Sequence, residues 1–236
     1  MSDLAREIDG QLKASADPDR AIGGKAYLKS DRDFIGVSVP ATRKIVKQTL
    51  KTHGELDHDE TIDLASGLWS GAAVEQHCFE HRLAAVEGLA ARSAVLTVDD
   101  LPFVESLIRD GETWALVDPL AIDVAGSIVG ESESESESAE VGAILDQWSA
   151  DPDSFWVRRA AMLALLRPLR ESDAEWNRFC GYADAMLDER EFFIRKAIGW
   201  VLRDVSRRRP DQVRAWVEPR LESMSGVTRR EAVKYL

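Results

Sequence analysis

The chain has 236 residues, 44% of them apolar and 31% charged, with 15 Gly and 8 Pro, which excludes collagen-like, wholly disordered and disulfide-scaffold classes. Two cysteines, Cys78 and Cys180, without CxxC or Cys/His zinc spacing, fit a reducing compartment. The formal charge of −12 argues against a generic nucleic-acid binder, because phosphate affinity comes largely from Lys and Arg releasing counterions.

In chain order, Leu4, Ile8 and Leu12, then Ile45, Val46, Thr49 and Leu50, recur at three- and four-residue steps, the period of a helix with one apolar face. The same period predicts helices over Glu60–Trp69, Val74–Ala91, Val98–Arg109, Glu140–Trp148, Phe155–Leu166, Glu175–Leu187, Phe192–Ser206 and Gln212–Met224. Gly54, Gly71, Gly111, Asp151-Pro152, Pro168 and Pro210 punctuate the gaps. No alternating run suggests a sheet, so the expected class is all-α. The N-terminus has no apolar targeting core, and the run Ala160–Leu166 is too short to span a bilayer, so a cytoplasmic protein is expected.

Residues 131–138 alternate Glu and Ser with no apolar side chain, which predicts a disordered acidic loop, an acidic mimic or phosphorylation tract being the alternative. Charge is unevenly spread: residues 1–150 hold 13 bases against 28 acids, and residues 151–236 hold 17 against 14. An anionic partner is therefore expected on the C-terminal half. The bases are 22 Arg and only 8 Lys, a balance that salt-adapted proteins use.

Internal repetition sharpens the fold. Phe155-Trp156-Val157-Arg158-Arg159-Ala160 is echoed by Phe192-Phe193-Ile194-Arg195-Lys196-Ala197 and, more faintly, by Val227-Thr228-Arg229-Arg230-Glu231-Ala232, at offsets of 37 and 34 residues. A period of that length suits an α-solenoid of HEAT-like antiparallel helix pairs, in which each repeat buries its apolar face against its neighbours. The repeated basic pair would line one concave surface, or simply solvate the turns; the sequence leaves both readings open. The expected organisation is a single repeat domain over 1–236.

Phosphate-loop and dinucleotide fingerprints are absent, Gly23-Gly24-Lys25-Ala26 having the wrong spacing. His77 and His81 stand one helical turn apart without a third ligand, so surface histidines are expected rather than a metal site, and the cysteines read as buried thiols. Trp114 and Asp118, Trp156 and Arg159, and Lys196, Trp200 and Arg203 are spaced to share helix faces, either as core or as aromatic platforms with charged neighbours. Asp118 precedes Pro119, the expected pairing of a helix N-cap with its first residue.

These stretches, with Ala26-Tyr27-Leu28-Lys29, Phe34-Ile35-Gly36-Val37, Pro40, Arg43 and Phe192–Arg203, resemble the DNA alkylation repair glycosylases of the AlkD type, which are built from HEAT-like repeats. The resemblance implies a concave face binding duplex DNA that carries alkylated bases. Trp114, Asp118 and Trp200 would surround the lesion nucleotide; Arg159 and Arg203 would contact backbone phosphate, and Tyr27 and Lys196 would be further DNA contacts. It implies hydrolysis of the N-glycosidic bond of cationic purines such as 3-methyladenine and 7-methylguanine, by a monomer without cofactor or metal. No lysine is placed for Schiff-base chemistry, so a monofunctional enzyme is expected. The rival is a non-catalytic HEAT-like module that binds branched or damaged DNA or a protein.

Overall fold

In the computed structural model, residues 3–71, 78–131 and 134–236 are described, and among them all regular structure is helical. They divide into two compact units, residues 1–97 with 113–119, and residues 98–112 with 120–236. No helix among the described residues is long and apolar enough to cross a membrane.

The first unit contains α1 (Asp3–Ala14), α2 (Pro18–Leu28), α3 (Val39–His53), α4 (His58–Ser70) and α5 (Phe79–Ala91). The chain then supplies α6 (Leu101–Gly111) to the second unit and α7 (Trp114–Pro119) to the first. Helix α2 escapes the periodicity because none of its side chains is fully buried. Local chemistry makes it: Asp17 caps the Arg20 N–H, Pro18 occupies the first turn, and Lys29 ends it at φ 49°. The loop after it is fastened from α5. Glu80, buried, accepts from the Ile35 and Gly36 amides at 3.1 and 2.7 Å, and Phe34 stacks on Phe79 at 4.7 Å. Gly36, at φ 86°, is required, since a Cβ there would lie 1.9 Å from the Asp17 carbonyl oxygen.

The helix expected over Val74–Ala91 begins at Phe79; positions 72–77, His77 among them, lie outside the described residues. His81 is not a surface histidine but is buried. Its Nδ1 accepts from the Cys78 amide at 3.2 Å and lies 3.0 Å from Cys78 Sγ, while Nε2 lies 2.9 Å from Asp9 Oδ1. An acceptor at Nδ1 calls for the proton on Nε2, facing the Asp9 carboxylate. Burial, then the charge of Glu80, pushes the Cys78 thiol up to about 12, so this Cys–His–Asp array holds an inert thiol.

The second unit continues from α6 through a π-helical stretch, Leu120–Ala125, then α8 (Gly126–Gly130), α9 (Glu135–Ser149), α10 (Phe155–Ala164), α11 (Leu166–Glu171), α12 (Trp176–Ala185), α13 (Phe192–Ser206), α14 (Pro210–Val217) and α15 (Gly226–Ala232). The Glu-Ser tract is not all loop. Ser134 caps the Glu137 N–H, and Glu135–Ser138 form the exposed first turn of α9, where acids complement the helix dipole; Ser132 and Glu133 lie outside the described residues. The helix expected over Phe155–Leu166 breaks after Ala164 because Pro168 has no amide to offer the Ala164 carbonyl, which instead lies against Gly126. The Gln212–Met224 helix likewise stops at Val217, followed by a 3₁₀ turn containing Pro219.

The sequence repeat maps onto the starts of α10, α13 and α15, which pack successively, α10 on α13 and α13 on α15. Thr228 donates to the Arg195 carbonyl near the two helix starts and Arg207 to the Tyr235 hydroxyl near their ends, so α13 and α15 run parallel, as equivalent helices of adjacent repeats do. Gly199 permits this closeness: a Cβ there would meet Glu231 Cβ at 2.6 Å and the Thr228 carbonyl at 3.0 Å.

Candidate nucleic-acid interface and catalytic residues

In the first unit, α7 starts at Thr113, whose carbonyl accepts from the Leu116 and Val117 amides at 3.1 and 3.0 Å. Asp118 is therefore inside the helix, and the N-cap reading is corrected: the Asp-Pro step lies at its end, with Pro119 as its last residue. The turns that follow, Leu120–Ala125, are π-helical, as fits a ladder from which Pro119 withdraws an amide; such turns recur at functional sites. Trp114 and Asp118, four residues apart, share one face of α7. Trp114 remains 38% exposed, whereas Asp118 is only 8% exposed. Tyr27, at 75% exposure on α2, meets Trp114 edge to face, centroids 6.2 Å apart at 85°. Two accessible aromatic rings thus meet at Trp114, which shares its helix face with a mostly enclosed carboxylate.

In the second unit, α13 buries Ile194, Ala197, Ile198, Val201, Leu202 and Val205 and turns Lys196, Trp200 and Arg203 to a half-buried face. Lys196 donates to Glu231 Oε1 at 2.5 Å and Arg203 pairs with Oε2 of the same carboxylate. The Lys196 hydrogen bond outweighs burial and, with Arg203, holds the Glu231 carboxyl below its usual range. Arg159 is 2% exposed: it donates to the Phe193 carbonyl at 2.5 Å and lies 5.8 and 6.0 Å from the Phe193 and Trp200 ring centroids. Phe155, Trp156, Phe192 and Phe193 form a contiguous aromatic cluster beside it.

Of the repeated basic pairs, Arg158, Arg159 and Lys196 tie one repeat to the next, whereas Arg195 bonds the turn before its own helix and Arg229 and Arg230 are exposed. Arg158 is bidentate to Glu189 at 3.0 Å, and Arg195 donates to the Glu189 carbonyl at 2.7 Å. Arg170 grips Asp204, Arg178 reaches Asp146 and Arg220 grips Asp184, at 3.0, 2.5 and 2.6–2.8 Å. Much of the C-terminal cationic excess is therefore engaged within the protein. Sequence reasoning missed Glu231 and Phe193 as partners, although both stand inside the repeated motifs and opposite charge one repeat away was a readable signal.

The sequence profile of the family described as DNA alkylation repair enzyme matches residues 8–236. The chain belongs to that family. Among solved structures, one described as a predicted DNA alkylation repair enzyme from Enterococcus faecalis is similar at 22% identity and a TM-score of 0.74, covering 94% of this chain and 97% of its own. AlkD2 from Streptococcus mutans is similar at 18% identity and a TM-score of 0.59, covering 92% and 99%. At these identities the likeness establishes the all-α fold of the DNA alkylation repair family. No curated protein matches.

Proposed function

We propose that this DNA alkylation repair family member is a monofunctional glycosylase that hydrolyses the N-glycosidic bond of cationic alkylated purines, such as 3-methyladenine and 7-methylguanine, in duplex DNA. The observation that carries the reading is the face of α7 that Trp114 and Asp118 share by spacing, with Asp118 mostly enclosed and the exposed Tyr27 ring against Trp114. A purine alkylated at N3 or N7 is positively charged and departs neutral, so no general acid is needed. What requires stabilisation is the oxocarbenium-like deoxyribose. A carboxylate partly withdrawn from water stabilises that charge more than an exposed one and orients the attacking water, the role assigned to Asp118. The Trp114 indole would offer an electron-rich face to the sugar cation, worth about 0.5–2 kcal/mol, and the same role is proposed for Trp200.

Tyr27, Arg159, Lys196 and Arg203 are the DNA contacts of this proposal. Lys196 and Arg203 would exchange the Glu231 carboxylate for phosphate, and Arg159 the Phe193 carbonyl, so their contribution is the difference between two partners. Incubation with methylated duplex and chromatography of the supernatant tests the reading: free methylated bases are expected. Tight duplex binding with no base released would favour a non-catalytic DNA-binding module.

A further inference from the structure

Acids outnumber bases 42 to 30 over the chain, yet residues 34–54 contain no acid at all and carry Arg43, Lys44, Lys47 and Lys51, all on α3. Arg43 bonds Glu87 at 2.8 Å. Lys44, Lys47 and Lys51, at three- and four-residue steps, lie on one exposed line opposite the buried Thr42, Ile45, Val46, Thr49 and Leu50. Four other cations of this unit do stand against carboxylates: Arg6 with Asp3, Lys13 with Asp9 at 2.9 Å, Arg20 with Asp17 and Lys25 with Asp33, both at 3.7 Å.

Lys47 and Lys51 instead line an open hollow of about 500 Å³ together with Leu50, Gly54, Ala91 and Arg92, with Glu55 the one acid lining it. Arg92 donates from Nη2 to the Leu56 carbonyl at 2.5 Å, and its Nε is buried without a hydrogen-bond partner among the described residues. Lys51 complements the carbonyl end of α3, but that field fades within one turn, which leaves Lys44 and Lys47 without that explanation.

We infer that this face of α3 binds the sugar-phosphate backbone of duplex DNA, by charge and without regard to sequence or damage. The inference rests on the reading that the protein acts on duplex DNA. Three ammonium groups spread over about 10 Å of helix axis face a polyanion carrying one phosphate per roughly 1.7 Å of its own axis. Lysine suits the task, since it needs only charge and reach, not bidentate geometry.

The test is fluorescence anisotropy of a labelled undamaged duplex over a KCl series, with wild type, the double variant Lys47→Gln/Lys51→Gln, and a control of equal charge change, Arg6→Gln/Arg20→Gln. Removing one lysine–phosphate pairing should flatten log affinity against log salt by about 0.9, so the α3 variant should lose about 1.8 units of slope and bind tenfold or more weakly at low salt. The control should match wild type in affinity, in salt slope and in excision. If wild type binds and the α3 variant keeps its slope, the inference is overturned and the glycosylase reading stands. If wild type binds no duplex at any salt, both fall.

Discussion

Asp118 shows how far one residue's neighbours decide its meaning. Its position before Pro119 reads as a cap, yet Thr113 opens the helix several residues earlier, so Asp118 lies inside α7 and shares a face with Trp114. Aspartate is a poor helix former away from caps, so a mostly enclosed one inside α7 is held there by its surroundings rather than by helix propensity. Gly36 is the structural counterpart. Gly36→Ala should lower stability by roughly 3 kcal/mol or more, since it combines a left-handed backbone with a direct clash on Asp17. Urea unfolding measures this, and a loss under about 1 kcal/mol would show that the α2 anchor yields easily.

Between elements, the α13–α15 contact is the most constrained. Gly199→Ala inserts a methyl against Glu231 and Thr228, and overpacking of this kind costs about 1–3 kcal/mol, readable as a lower melting temperature. An unchanged melting temperature would mean that α15 moves aside freely. Glu231 gives the same interface a pH signature. Its carboxyl is held below the usual 4.5, so its contribution is fully present above the unfolded value and is lost as pH falls through the folded one. Glu231→Gln should be less stable than wild type near pH 7, and the gap should close as pH falls below the ordinary carboxyl value of 4.5. A gap independent of pH would show that the carboxylate charge is not what binds Lys196 and Arg203.

Legibility also followed the elements. Helix α13 has the same limits in sequence and structure, Phe192–Ser206, because a regular apolar stripe and a Pro-containing turn bound it. Helix α2 was invisible because it has no buried stripe, and the Glu-Ser turn of α9 because its stability comes from a cap and a dipole rather than burial. The pairing of Trp114 with Asp118 was legible as spacing. The fates of Arg159, Lys196 and Arg203 were not, because their partners are a carbonyl and a carboxylate about one repeat away.

For the whole molecule, the acid-rich, Lys-poor composition and a net charge of −12 imply self-repulsion that salt screens. The melting temperature should therefore rise as KCl is raised from low concentration, and a fall would contradict salt adaptation. DNA affinity should move the opposite way, since counterion release weakens with salt. The most direct measurement is single-turnover excision of 7-methylguanine from methylated duplex with enzyme in excess, comparing wild type with Asp118→Asn. Asparagine keeps the shape and removes the charge, so the variant should fold and bind duplex as wild type does yet release base roughly 10²–10³ times more slowly, the usual loss for one preorganised electrostatic group. Release at the wild-type rate would contradict the role of Asp118, and no release by wild type would contradict the glycosylase itself.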